Sequence, residues 1–117
     1  MVKVYGIPNC DTVKKALAWL DDNDTMYEFY NFKKEGVTKK KLEEWVLQKG
    51  WKVILNQKST TFRKLVSERK TKPSTKLDAI NLMIENNSVI KRPVIEKDGM
   101  LVVGFNVSEM ELLLKTK

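Results

Sequence analysis

One cysteine, Cys10, is the residue of this 117-residue chain best suited to nucleophilic chemistry. It stands in Gly6-Ile7-Pro8-Asn9-Cys10-Asp11-Thr12-Val13-Lys14-Lys15, where an alternating apolar run gives way to helical spacing. A thiol attacks only as its thiolate. The start of a helix favours that anion, because unpaired backbone N–H groups and the positive end of the helix dipole face it. Thiolate chemistry is therefore the chemistry to look for. Histidine is absent. That excludes Ser-His and Cys-His pairs and any His-containing zinc site, and one cysteine cannot build a thiolate cluster. No metal is expected. Proton transfer must go through carboxylates, water, the substrate or a partner thiol.

A helix start at Cys10 needs elements to hold it. Val2 and Val4 alternate in residues 2–5, which reads as a short strand, and Gly6 to Asn9 reads as a turn stiffened by Pro8. Val13, Ala16, Leu17 and Leu20 then share one helical face, with Asp11 and Thr12 in the first turn as capping residues. Asp21 to Asp24 ends that helix, and the aromatic-rich Met26 to Phe32 reads as a second strand. Strand, helix and strand make a βαβ unit with parallel strands.

The middle of the chain reads as helical. Thr38 caps a helix running to Lys49, with Leu42, Trp45 and Val46 inward, Val37 and Leu42 at staple spacing and Gly50 as its stop. Trp51 to Leu55 reads as a connector. A short helix covers Phe62 to Val66 with Thr60 and Thr61 as caps, and Arg69 to Pro73 is a basic loop. Ser74 starts a helix with Leu77, Ile80, Met83 and Ile84 inward, ended by Asn86-Asn87. The period then changes. Pro93 to Glu96 and Met100 to Val103 read as a hairpin turned by Asp98-Gly99, and Asn106 caps a last helix through Glu109. Met110, Leu113 and Leu114 give that helix its apolar stripe. No linker divides the chain, so a single domain over residues 1–117 is expected.

The net charge of +7 favours anionic partners: phosphates, glutathione, oxyanions or an acidic protein face. Lys33-Lys34 and Lys39-Lys40-Lys41 read as solvated faces, and no direct nucleic-acid contact is expected. No apolar run approaches membrane-spanning length, so no membrane association is expected. Residues 1–5 lack the marks of a signal peptide, so a reducing cytoplasm is the expected location.

Four stretches together resemble the arsenate reductase/Spx (ArsC) family, and its YffB-type branch in particular. They are Tyr5 to Ala16, Thr60 to Leu65, Ile90-Lys91-Arg92-Pro93-Val94 and Leu101-Val102-Val103-Gly104-Phe105. The resemblance implies an α/β, thioredoxin-like mixed sheet, with a helical insertion between the βαβ unit and a C-terminal ββα unit. It implies Cys10 as nucleophile, Arg92 beside it and Pro93 in the cis form. Asn9, Asp11, Thr12, Val13 and Pro93 are then candidate substrate-binding positions, with Asn56 and Arg63 as further candidates. A guanidinium at Arg92 would favour the thiolate and grip a carboxylate or oxyanion.

Two departures shape the functional expectation. Family members that reduce arsenate are expected to carry three arginines around the cysteine; here Arg92 alone matches, Asn56 holds the second position and Val103-Gly104 the third. Spx-type regulators switch through Cys-x-x-Cys and bind RNA polymerase; here the fourth residue is Val13. The leading expectation is a single-cysteine thiol reductase served by glutathione or a glutaredoxin-like donor, with no tightly bound cofactor and glutathione as co-substrate. The alternatives are a non-catalytic Spx-like regulator docking on RNA polymerase and an arsenate reductase.

Overall fold

A computed structural model describes residues 1–69 and 72–115 of the chain. Val2–Gly6 (β1) pairs in parallel with Tyr27–Asn31 (β2), Lys3 opposite Glu28 and Tyr5 opposite Tyr30. On its other edge β1 runs antiparallel to Val94–Lys97 (β3), which pairs antiparallel with Met100–Val103 (β4). The sheet order is β2-β1-β3-β4. Such a mixed sheet, with a βαβ unit at one end of the chain and a ββα unit at the other, is the expected thioredoxin-like arrangement.

Two compact units divide the chain. One is assembled from residues 1–35 and 92–117; the other is the insertion, 36–91. In the first, Asp11–Asp22 (α1) and Val107–Lys115 (α7) cover one face of the sheet. Val2, Val4, Ile95 and Val102 meet Ala16 and Leu20 of α1 and Met110 and Leu113 of α7 in a core closed to water. The opposite face carries Tyr5 stacked on Tyr30, with ring centroids 4.9 Å apart. Burial and the nearby Glu96 carboxylate push the Tyr5 phenol far above its ordinary pKa, so it stays protonated.

Local chemistry sets the ends of this unit's elements. Asp98 (φ 49°) and Gly99 (φ 83°) both take positive φ, as a two-residue hairpin requires. Asn106 caps α7 by accepting from the Glu109 amide at 3.0 Å. Lys97 Nζ closes the other end of α7, donating to the Leu113 and Leu114 carbonyls at 3.2 and 3.1 Å. The second strand is shorter than expected. Asn31 Oδ1 accepts from the Lys33 and Lys34 amides, so the chain turns into a one-turn helix at Phe32–Glu35 (α2).

The inserted unit holds Lys39–Lys49 (α3), Trp51–Ile54 (α4), Thr60–Arg69 (α5) and Lys76–Glu85 (α6), then a 3-10 turn at Asn87–Val89. Thr38 caps α3 through the Lys41 amide and Gly50 ends it at φ 89°, as expected. Four expectations are corrected. Trp51 to Ile54 is a helical turn rather than a connector. The cap of α5 is Ser59, whose Oγ accepts from the Phe62 amide at 3.1 Å, so Thr60 and Thr61 lie inside the first turn. Thr75 rather than Ser74 caps α6, accepting from the Asp78 amide. That helix buries Ala79, Ile80, Leu82 and Met83 and leaves Leu77 and Ile84 exposed. Of the expected Arg69–Pro73 loop, Arg69 ends α5, and residues 70 and 71 lie outside the described residues.

Candidate active site

Cys10 is itself the N-cap of α1, extended at φ −93° and ψ 124°. The turn before it closes through its amide, which donates to the Ile7 carbonyl at 3.2 Å, and its carbonyl accepts from the Lys14 amide at 3.0 Å. Asp11 and Thr12, expected as caps, are instead the first two helical residues. The sulfur thus occupies the place where a cap oxygen usually sits, above the amides of the second and third helical residues, Thr12 and Val13. It makes no cap hydrogen bond within ordinary distance and angle limits, yet both amides lie near enough to favour its anion.

Gly6 and Val13 fix this helix start against β1. Val13 is fully buried, and a Cβ on Gly6 would lie 2.7 Å from Val13 Cγ2. Only glycine lets the end of β1 approach the first turn of α1 so closely.

Arg92 and Pro93 arrive from the far end of the same unit. Their peptide bond is cis, as the resemblance implied. Pro93 is buried, and its carbonyl accepts from the Gly104 amide at 2.7 Å, which ties the segment to the chain just beyond β4. Arg92 is half-buried, and its guanidinium lowers the Cys10 pKa.

Four influences act on that sulfur. Partial burial, the largest, pushes its pKa up. The Val13 amide, the Arg92 guanidinium and the Thr12 amide pull it down, and together they prevail, so the Cys10 pKa lies below its ordinary value. Partly exposed and anion-favoured, the sulfur can attack an electrophile arriving from solvent.

The remaining candidates divide. Asn9, Asp11 and Thr12 are exposed around Cys10, and Val13 supports it from below. Asn56 and Arg63 belong to the inserted unit. Asn56 is engaged in its own turn: its Oδ1 accepts from the Lys58 amide, and its amide donates to the Val89 carbonyl at 2.7 Å. Arg63 is exposed on the second turn of α5. Among the described residues, no group of three or more Cys, Asp or Glu is placed to hold a metal ion. Sequence reasoning missed the part of Gly6. The signal was a glycine at a strand end seven residues before an apolar helix position.

A thioredoxin-like sheet with a lone thiol capping its first helix and an Arg–cis-Pro pair beside that thiol defines a class of thiol-bearing α/β proteins. The chain belongs to the ArsC family, whose model matches residues 5–113. An uncharacterized protein of Haemophilus influenzae is 40% identical over 111 residues, covering 95% of this chain and 96% of that one. The global transcriptional regulator Spx of Listeria innocua is 30% identical over 116 residues, covering 97% of this chain and 87% of the regulator. A solved structure of the protein YffB superposes with a TM-score of 0.91 at 39% identity, covering 97% of this chain and 99% of the other.

Proposed function

We propose that this protein is a thiol-dependent reductase acting through Cys10, in a reducing cytoplasm. What supports the reading is a sulfur at the N-cap of α1 whose pKa the α1 amides and Arg92 bring below its ordinary value. In the reaction, the Cys10 thiolate attacks an S–S bond of the oxidised substrate. A disulfide to Cys10 forms, and the released substrate thiolate takes a proton from water. With Val13 at the fourth position, no second thiol of this chain can resolve that disulfide. The thiolate of a glutathione, or of a glutaredoxin-like protein, attacks it instead. Cys10 thiolate is restored, and the donor leaves oxidised as a disulfide. Asn9, Asp11 and Thr12 border the incoming group, and the Arg92 guanidinium suits a glutathione carboxylate.

Alkylation of Cys10 by iodoacetamide across pH 5–10 tests this. The midpoint should fall clearly below about 8.5, the value of an unperturbed thiol, and Arg92→Ala should raise it. A wild-type midpoint at the ordinary value overturns the reading; an unmoved midpoint in Arg92→Ala removes Arg92 from it. Turnover of a glutathionylated peptide with excess glutathione should vanish in Cys10→Ser.

The identity to the Listeria regulator across 97% of this chain favours a second reading, a Spx-like regulator docking on RNA polymerase. Polymerase binding by both wild type and Cys10→Ser, with no thiol turnover by either, would establish it over the first. Arsenate reduction is the weaker third reading, because a single matched arginine leaves a doubly charged oxyanion poorly neutralised.

A further inference from the structure

Gly6, Pro93 and Gly104 form a row across the sheet at the end where β1 leads to Cys10. Tyr5 stands opposite Val94 in the pairing of β1 with β3, and Val94 opposite Val103 in the pairing of β3 with β4. One step further along each register brings the three residues level. Gly6 places the Cys10 helix through its close approach to Val13. The other two members of the row bear on Arg92.

Proline has no N–H, so the carbonyl of Pro93 is its one backbone hydrogen-bonding group. Pro93 is buried, and that carbonyl accepts from the Gly104 amide at 2.7 Å. The bond extends the β3–β4 ladder by one rung beyond Val94 and Val103. Arg92 is the next residue out, so the backbone that carries its guanidinium starts from this rung.

Gly104 donates the bond from φ 81°, in the left-handed region where an L side chain is strained. Its neighbours hold it from both sides. Val103 belongs to the ladder, and Phe105 packs against the core that α1 and α7 form on the sheet. A residue with a Cβ relieves the strain by rotating towards negative φ. With both neighbours held, that rotation tilts the amide of residue 104 away from the Pro93 carbonyl.

We propose that Gly104 is a positioning residue: its amide, aimed by the left-handed turn after β4, fixes Pro93 and thereby sets Arg92 beside the Cys10 sulfur. This role rests on Cys10 acting as the attacking thiolate.

The pH profile of Cys10 alkylation by iodoacetamide tests it in wild type, Gly104→Ala, Arg92→Ala and the double variant. Gly104→Ala should raise the midpoint, by no more than Arg92→Ala does. Without the guanidinium the rung has nothing to place, so the double variant should match Arg92→Ala. Gly99→Ala is the control. That glycine also takes positive φ (83°), at the far end of the same hairpin, and its substitution should leave the midpoint in place. Asparagine tolerates positive φ better than alanine, so the Gly104→Asn midpoint should lie nearer to wild type. Turnover of a glutathionylated peptide by Gly104→Ala should fall most at pH 6 and approach wild type at pH 9, where a thiol ionises unaided. A Gly104→Ala midpoint equal to that of wild type, a double variant above Arg92→Ala, or an equal rise in Gly99→Ala overturns the proposal and leaves Cys10 as nucleophile. A wild-type midpoint at about 8.5, the ordinary thiol value, overturns the reading of Cys10 itself. If Gly104→Ala does not fold, amide exchange in the wild type decides. The Gly104 amide should exchange as slowly as those of Ile95 and Val102, and exchange at the rate of an unprotected amide overturns the proposal.

Discussion

Replacing Cys10 by serine should make the protein more stable while removing its thiol chemistry. Cys10 holds the N-cap of α1 and forms no cap hydrogen bond. A serine hydroxyl there can accept from the Val13 amide, as Thr38 does from Lys41 and Thr75 from Asp78. Such a bond is worth about 1 kcal/mol at an otherwise uncapped helix. For a chain of 117 residues the unfolding entropy is roughly 250 cal/mol/K, so Tm should rise by about 4 °C. The gain should depend on pH. The folded-state pKa of Cys10 is lowered, so its thiolate adds stability that is complete above the ordinary thiol value near 8.5 and is lost as pH falls through the folded value. Serine has no such titration. Its advantage should therefore be largest at pH 5–6 and shrink towards pH 9. Thermal unfolding of both proteins under reductant at pH 5.5, 7 and 9 measures this. A Cys10→Ser protein less stable than wild type at pH 5.5, or a difference independent of pH, would refute the placement of the sulfur over the α1 amides.

Gly6→Ala should cost about 1–3 kcal/mol, because its methyl meets Val13 Cγ2 at 2.7 Å; denaturant unfolding reads the loss, and Gly6→Ala/Val13→Ala should recover part of it. Lys97→Met should cost about 1 kcal/mol by opening the last carbonyls of α7, with faster amide exchange at the end of that helix.

Features decided within a few residues were legible in the sequence. Thr38 reaches its own helix's third residue and Asp98-Gly99 its own turn, so the sequence names them without tertiary help. Ser59, Thr60 and Thr61 offer three adjacent hydroxyls that could each cap a helix, and only the position of Phe62 in the folded turn selects Ser59. The inward face of α6 was misplaced because Leu77 and Ile84 have helical spacing as good as that of Ala79 and Leu82. Which stripe is buried depends on what packs against it. Cys10 could be placed at a helix start from its neighbours. Its contact with Arg92 spans most of the chain, and no periodicity encodes it; that expectation came from family resemblance alone.

The inserted unit separates the two halves of the candidate site in time as well as in sequence. During synthesis Cys10 leaves the ribosome about 80 residues ahead of Arg92, on the order of 4–16 s earlier at common elongation rates. β1 meanwhile waits for β3 to occupy its second edge. Until then the nascent sulfur lacks the guanidinium. The chain thus brings Cys10 out of the exit tunnel before the residue that will stand beside it has been made.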